Sequence, residues 1–262
     1  MRRTNRLADH EPVRSTDWFL PLSAPDRATA HVFALPQAGG GATTFSPLAD
    51  ELGPEITVWA LNLPGRQARF DEPPCTELDP LLDQVAGAVP EHAPAVLFGY
   101  CSGALLAYLL AERLRSRGRR LPSGLVVCSY PAPDRAEPPH TVHTLADDEF
   151  WAEILSYGGV PEGVAAQPDF REIFEPALRA DYELLADYRY RDAAPLPLPI
   201  TAVSGADDPV LRPEDVDRWR AHTDRDFRSV TVSGDHWLLE TSRRAVADAL
   251  RNELDRSRSA LR

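Results

Sequence analysis

The most restrictive stretch of this chain is Val96-Leu-Phe-Gly-Tyr-Cys-Ser-Gly-Ala-Leu-Leu-Ala-Tyr-Leu-Leu110. A short apolar run ends at Phe98, bounded by Pro94 and Gly99, which is the pattern of a buried strand. From Ala104 to Arg117 apolar residues recur at helical spacing among good helix formers. The link between them is Gly99-Tyr100-Cys101-Ser102-Gly103. A strand that turns this sharply into a helix presents the middle residue at its tip. The flanking glycines remove the Cβ atoms that would clash where the two backbones approach. The free amides and positive pole of the helix would favour a thiolate at Cys101 and face a developing oxyanion. Alone, the five residues also suit a glycine-containing loop with a small buried thiol, so the rest of the chain must decide.

The flanking sequence alternates in a βα rhythm. Asp17 to Leu20 and Ala30 to Leu35 are strand candidates, and the second runs into Pro36-Gln-Ala-Gly-Gly-Gly-Ala42 and a helix from about Phe45 to Leu52. A glycine-rich turn between strand and helix cradles negative groups with its amides. Consecutive glycines do not make the dinucleotide fingerprint. Thr57 to Asn62 is the next strand, Leu78 to Val89 an amphipathic helix, and Gly124 to Cys128 a further buried strand. Such alternation predicts a parallel sheet with right-handed crossovers.

From Pro131 to Asp192 no strand pattern appears. The proline-rich run 131–139 reads as a stiff linker, and 147–157 and 169–190 read as helices, the second rich in aromatics. This insertion is expected to form a lid over a site, with most aromatics serving as its small core. His140 and His143 lack a further ligand within sequence reach, so no metal is expected there. The sheet resumes at Ile200 to Val203, followed by a helix over 213–223, a last strand at Phe227 to Val232 and a closing helix over 241–254.

Cys101, Asp207-Asp208 and His236 therefore come in the order nucleophile, acid, histidine, each at a C-terminal strand end. In this arrangement Cys101 is the nucleophile and His236 the general base and acid. Asp208 holds the histidine, with Asp207 as the alternative. The backbone N–H groups of Ala38 and Ser102 are the expected oxyanion donors.

These motifs resemble those of the type II thioesterases, the stand-alone editing enzymes of polyketide and nonribosomal peptide assembly lines. The likeness runs from about Trp18 to Leu250 and rests on 36–42, Leu63-Pro-Gly-Arg-Gln67, the elbow, Pro176-Ala-Leu-Arg-Ala-Asp181, Tyr188-Arg-Tyr190, Gly205-Ala-Asp-Asp-Pro209 and Gly234-Asp-His236. The resemblance implies an α/β-hydrolase fold, with a mostly parallel central sheet flanked by helices and an inserted helical lid at about 131–192. It implies hydrolysis of acyl groups carried on the 4'-phosphopantetheine arm of acyl or peptidyl carrier protein domains, with no cofactor of the enzyme's own. Two residues depart from the family pattern. Gln37 stands where histidine or tyrosine is usual, and Cys101 where serine is. A cysteine thioester can pass its acyl group to an amine or carbanion as well as to water. Acyl transfer or ring closure is therefore the alternative outcome, and a catalytically weak carrier-binding partner is the non-enzymatic one.

Composition bounds the partners. The formal net charge of −12 disfavours nucleic acid and anionic membranes. All 28 basic residues are arginine, which excludes a lysine base or Schiff base. Arg113, Arg115, Arg117, Arg119 and Arg120 crowd one helix end. They suit the negative pole of that helix or, more sharply, an acidic partner. No apolar run is long enough to cross a membrane, and Arg2, Arg3 and Arg6 have no apolar stretch behind them, so no secretory leader is expected. Three cysteines without metal spacing fit a reducing cytoplasm. Residues 1–15 are expected to be a disordered tail, 16–255 a single, monomeric domain, and 256–262 a frayed end.

Overall fold

A computed structural model describes residues 18–23, 28–90, 94–160 and 166–260; the expected tail at 1–15 lies outside them. Among the described residues the strands are β1 (Phe19–Pro21), β2 (Ala30–Leu35), β3 (Ile56–Leu61), β4 (Ala95–Tyr100), β5 (Gly124–Cys128), β6 (Ile200–Gly205) and β7 (Phe227–Val232). They form one sheet in the order β1-β3-β2-β4-β5-β6-β7. Only β1 runs antiparallel, against β3 at one edge. The other pairings are parallel, so the sheet needs helices on both faces.

The helices are α1 (Ser46–Leu52), α2 (Leu78–Ala88), α3 (Ser102–Ser116), α4 (Asp147–Ser156), α5 (Pro168–Ala186), α6 (Pro213–Asp217), α7 (Leu238–Thr241) and α8 (Arg243–Ala260). Alternate residues of the central strands enter separate cores. Phe33, Leu35, Trp59 and Leu97 pack with α2 and α3 on one face. Val32, Ala34, Val58, Val96 and Phe98 pack with α1 and α8 on the other. The insertion between β5 and β6 has a core of its own, built from Val142, Phe150, Trp151, Ile154 and Leu178.

Several boundaries differ from those the sequence predicts. The helix expected over 169–190 stops at Ala186, and Tyr188 turns back to donate its hydroxyl to the carbonyl of Pro133. The helix expected over 213–223 is α6 followed by a 3-10 turn at Arg218–His222. The three-residue period puts Trp219 and His222 on one buried face. The closing helix breaks at Ser242, whose hydroxyl bonds the carbonyl of Ser233. It then continues to Ala260 instead of fraying at 256. Arg256 pairs with the buried Glu253 and donates to Thr201 Oγ1 at 3.0 Å, which ties the last turns to β6.

The first turn of α3 lies hard against the ends of β2 and β4. A Cβ at Gly103 would stand 2.2 Å from the Leu35 carbonyl oxygen, and one at Gly99 would stand 2.3 Å from Ala104 Cα. Both obstacles are backbone, which cannot yield as a side chain does. Gly103→Ala is therefore expected to lower unfolding stability by about 1–3 kcal/mol or more, read from urea denaturation; an unchanged midpoint would mean that α3 can shift freely.

Candidate active site

The sheet order reverses at β2, which has β3 on one side and β4 on the other. The crevice beyond the carboxyl ends of β2 and β4 is the place where open parallel sheets bind ligands. Leu35 and Gly99 are paired across it. The Pro36–Gly41 loop and Cys101 are thus neighbours by sheet register. Cys101 has φ 51° and ψ −128°, a backbone state that side-chain-bearing residues rarely adopt. Such strain costs of order 1–3 kcal/mol. Here it lifts the thiol to the tip of the turn, at the N-terminus of α3.

The remaining partners arrive from β6 and β7. Gly205 and Val232 close the ladder between these strands. A Cβ at Gly205 would lie 2.2 Å from the Asp235 carbonyl oxygen, so bare glycine lets the two following loops cross. His236 Nδ1 donates to Asp208 Oδ2 at 2.8 Å, and His236 Nε2 stands 3.4 Å from Cys101 Sγ. Asp208 Oδ1 accepts the N–H groups of Val210 and Leu211 at 2.9 and 3.0 Å. Its neighbour Asp207 gives only a backbone N–H, to the Gly234 carbonyl at 2.9 Å. Of the adjacent carboxylates, Asp208 is the one that faces the histidine.

The electrostatics follow from these bonds. Burial works against the Asp208 charge, yet the bond from His236 and the two amides hold its carboxyl below the usual range. Burial also works against a charged His236, but the hydrogen bonds to Asp208 and Cys101 prevail and push it up from 6.5 to about 10. His236 is held between a carboxylate and a sulfur, and both contacts favour its protonated form. The Trp237 ring packs edge-on against it at 5.2 Å.

Ala38 and Ser102 also meet in the crevice, in a way that sequence patterns do not show. The Ala38 N–H donates to the Ser102 side-chain hydroxyl at 2.9 Å. Gln37 folds beneath Gly40, with its Oε1 buried and unbonded. The loop is braced from outside by Arg66 and Asp181, which no catalytic pattern singles out. Their placement in two motifs of the resemblance is the only signal that could have found them.

Other candidates stand apart. His140 bonds the Ala186 carbonyl through Nδ1. Among the described residues no group of three His, Cys, Asp or Glu could hold a metal ion. Arg113, Arg115, Arg117 and Arg119 at the end of α3 are engaged within the fold. Arg113 pairs with Asp79 and Asp83, and Arg117 pairs with Asp83. Arg115 reaches the Ala194 carbonyl and Arg119 that of Val89. This end also lies about 20 Å along α3 from Cys101, so an acidic partner docked there would sit far from the chemistry.

Residues 30–254 match the thioesterase domain family. This chain belongs to that family, and with it to the α/β hydrolases that cleave thioesters. The AMB antimetabolite synthetase AmbE of Pseudomonas aeruginosa is 36% identical over 96% of this chain, which spans only 12% of that synthetase. The gramicidin S biosynthesis protein GrsT of Aneurinibacillus migulanus is 31% identical over 90% of this chain and 93% of its own length. The type II thioesterase BorB from the borrelidin biosynthetic cluster superposes with a TM-score of 0.80 at 36% identity, over 92% of this chain and 99% of its own.

Cys101 is half-buried beside His236 at the N-terminus of α3, whereas burial pushes the Cys75 thiol up and the Cys128 thiol up to about 12. Iodoacetamide near neutral pH is expected to label Cys101 first, as peptide mapping would show. Equal labelling of the three would mean that the thiol is not activated. The raised His236 contributes stability fully below about 6.5, which is lost as pH climbs towards about 10. Accordingly, Asp208→Asn should unfold at lower urea than the parent near pH 6, with a gap that narrows towards pH 10.

Proposed function

We propose that this protein hydrolyses acyl thioesters carried on the phosphopantetheine arm of carrier protein domains in a polyketide or nonribosomal peptide assembly line, through an acyl-Cys101 intermediate. The observation that carries the reading is the His236 bridge, with Asp208 on one ring nitrogen and Cys101 Sγ on the other. The relatives named above point to the same pathways.

In this scheme Cys101 Sγ attacks the thioester carbonyl carbon. The carbonyl electron pair moves to oxygen, which takes the Ala38 N–H from the Ser102 hydroxyl and faces the Ser102 amide at the start of α3. Collapse expels the pantetheine thiolate, which receives the proton from His236 Nε2. The histidine is then neutral and accepts a proton from water as water attacks the acyl-cysteine. A second collapse releases the acid and frees Cys101 Sγ, which again stands against the proton held by His236 Nε2. Exchange of one thioester for another is close to isoenergetic, so the second half of the cycle carries most of the driving force. Transfer to an amine or ring closure would use the same intermediate, but the type II thioesterase relatives favour water as the acceptor. The reaction needs only side chains and amides of this chain, the pantetheine belonging to the carrier. No described helix is long and apolar enough to cross a membrane, in keeping with a cytoplasmic site of action.

The test is incubation with acylated carrier proteins, followed by intact mass of both partners. A deacylated carrier plus free acid is expected. Cys101→Ala should abolish it, and Asp208→Asn should lower kcat by roughly 10²–10⁴-fold. Asp207→Asn should stay near the parent. Full deacylation by Cys101→Ala would sink the proposal, and an acyl adduct discharged only by amine would replace hydrolysis with transfer.

A further inference from the structure

Two motifs of the resemblance, 63–67 and 176–181, find no role in the chemistry above. The structure joins them. Arg66 and Asp181, 115 residues apart, form a bidentate pair with Nη1–Oδ2 at 2.6 Å and Nη2–Oδ1 at 2.7 Å. Both side chains are about nine-tenths buried, at 9% exposure each. A buried ion pair gives little net stability compared with apolar residues of the same volume, so stability alone does not account for it.

Its outer bonds point elsewhere. Asp181 Oδ2 also accepts the Gly39 N–H at 2.7 Å, and Arg66 Nη1 also donates to the Gly40 carbonyl at 2.8 Å. Arg66 Nη2 reaches back to the Ala177 carbonyl of α5 at 3.3 Å. The pair therefore grips the backbone on both sides of the Gly39–Gly40 peptide. Ala38, whose amide lies in the crevice, is the residue immediately before. Gly39 has φ +72°, and a Cβ there would lie 2.8 Å from Leu178 of α5, so loop and helix are in direct contact as well. Gln67 adds a bond from its Nε2 to Thr43 Oγ1 at 2.6 Å at the far end of the loop. The charges matter too. A lone Asp181 carboxylate so near the crevice would repel an oxyanion, and Arg66 neutralises it.

We propose that Arg66 and Asp181 are positioning residues for the oxyanion hole, locking the Ala38 amide to helix α5 of the inserted segment. The idea rests on the thioester-cleaving reading of this site. In it, α5 is part of the catalytic frame, and an insertion that swung α5 away would dismantle the hole. Preaimed donors of this kind are worth about 10²–10³ in rate.

The test compares the parent protein with Asp181→Asn and with the paired variant Arg66→Met/Asp181→Leu. The paired variant removes both charges at similar volume, in case Asp181→Asn leaves Arg66 too exposed to misfolding. Iodoacetamide alkylation of Cys101 displaces iodide at a CH2 carbon and does not use the hole. A straight-chain aldehyde does use it: Sγ adds to the carbonyl carbon, and the oxygen takes the electron pair and then a proton from His236, with no leaving group. The aldehyde concentration that half-protects Cys101 from alkylation thus reports on the hole without turnover. Both variants are expected to alkylate within about twofold of the parent, to need about tenfold more aldehyde or beyond, and to lose tenfold or more in kcat for an acyl thioester with little change in KM. An unchanged half-protecting concentration overturns the proposal. So does loss of fold or of alkylation in both variants, which would mark a structural strut, and so does a parent that aldehyde cannot protect. A parent that aldehyde protects but that cleaves no thioester refutes the hydrolytic reading while leaving the hole to be judged by the aldehyde alone.

Discussion

The site depends on one steric fact, the contact of the first turn of α3 with the ends of β2 and β4. Gly99 and Gly103 leave no Cβ to hold the helix off, and the nearest obstacles would be backbone atoms of Ala104 and Leu35. Because the helix comes so close, Cys101 must take a positive φ and its sulfur stands at the tip. The same approach brings the Ser102 hydroxyl within 2.9 Å of the Ala38 amide, so Cys101 and the Ala38 loop are set by a single packing decision. Strain at Cys101 persists because strands and helix on both sides hold it.

Charge is arranged around that sulfur with the same economy. Asp208 can be ionised out of solvent because His236 and two backbone amides replace water. The protonated form of His236 is favoured because Asp208 and Cys101 stand against its two ring nitrogens.

Helix α5 occupies an intermediate position between scaffold and cover. Its Leu178 belongs to the small core of the inserted segment, against which Ala38 packs. Its Asp181 is tied to the loop that carries the donor. On the other side of the crevice, Gly159 of the insertion lies against the Trp237 ring beside His236. The insertion thus touches the site through both the loop of Ala38 and the loop of His236.

The strands, the elbow and the order Cys101, aspartate, His236 were legible in the chain because each is a local signal: an apolar run, a pair of glycines, a turn at a strand end. The ladder of central strands followed from apolar periodicity, since fully buried strands leave no polar face. Which neighbouring aspartate serves His236 came down to one side-chain direction. Two residues that alternate along a turn point apart, and only the folded loop, in which Asp208 receives Val210 and Leu211, settled it. Tertiary structure alone decided that the arginines of α3 turn to carboxylates and carbonyls nearby. It alone decided that α8 holds to Ala260 through Glu253 and Thr201, and that Arg66 meets Asp181 across 115 residues. Sterics and periodicity act over a few residues and are written in the sequence. Ion pairs and hydroxyl–amide contacts between distant segments exist only once packing has removed the water that would otherwise satisfy each partner.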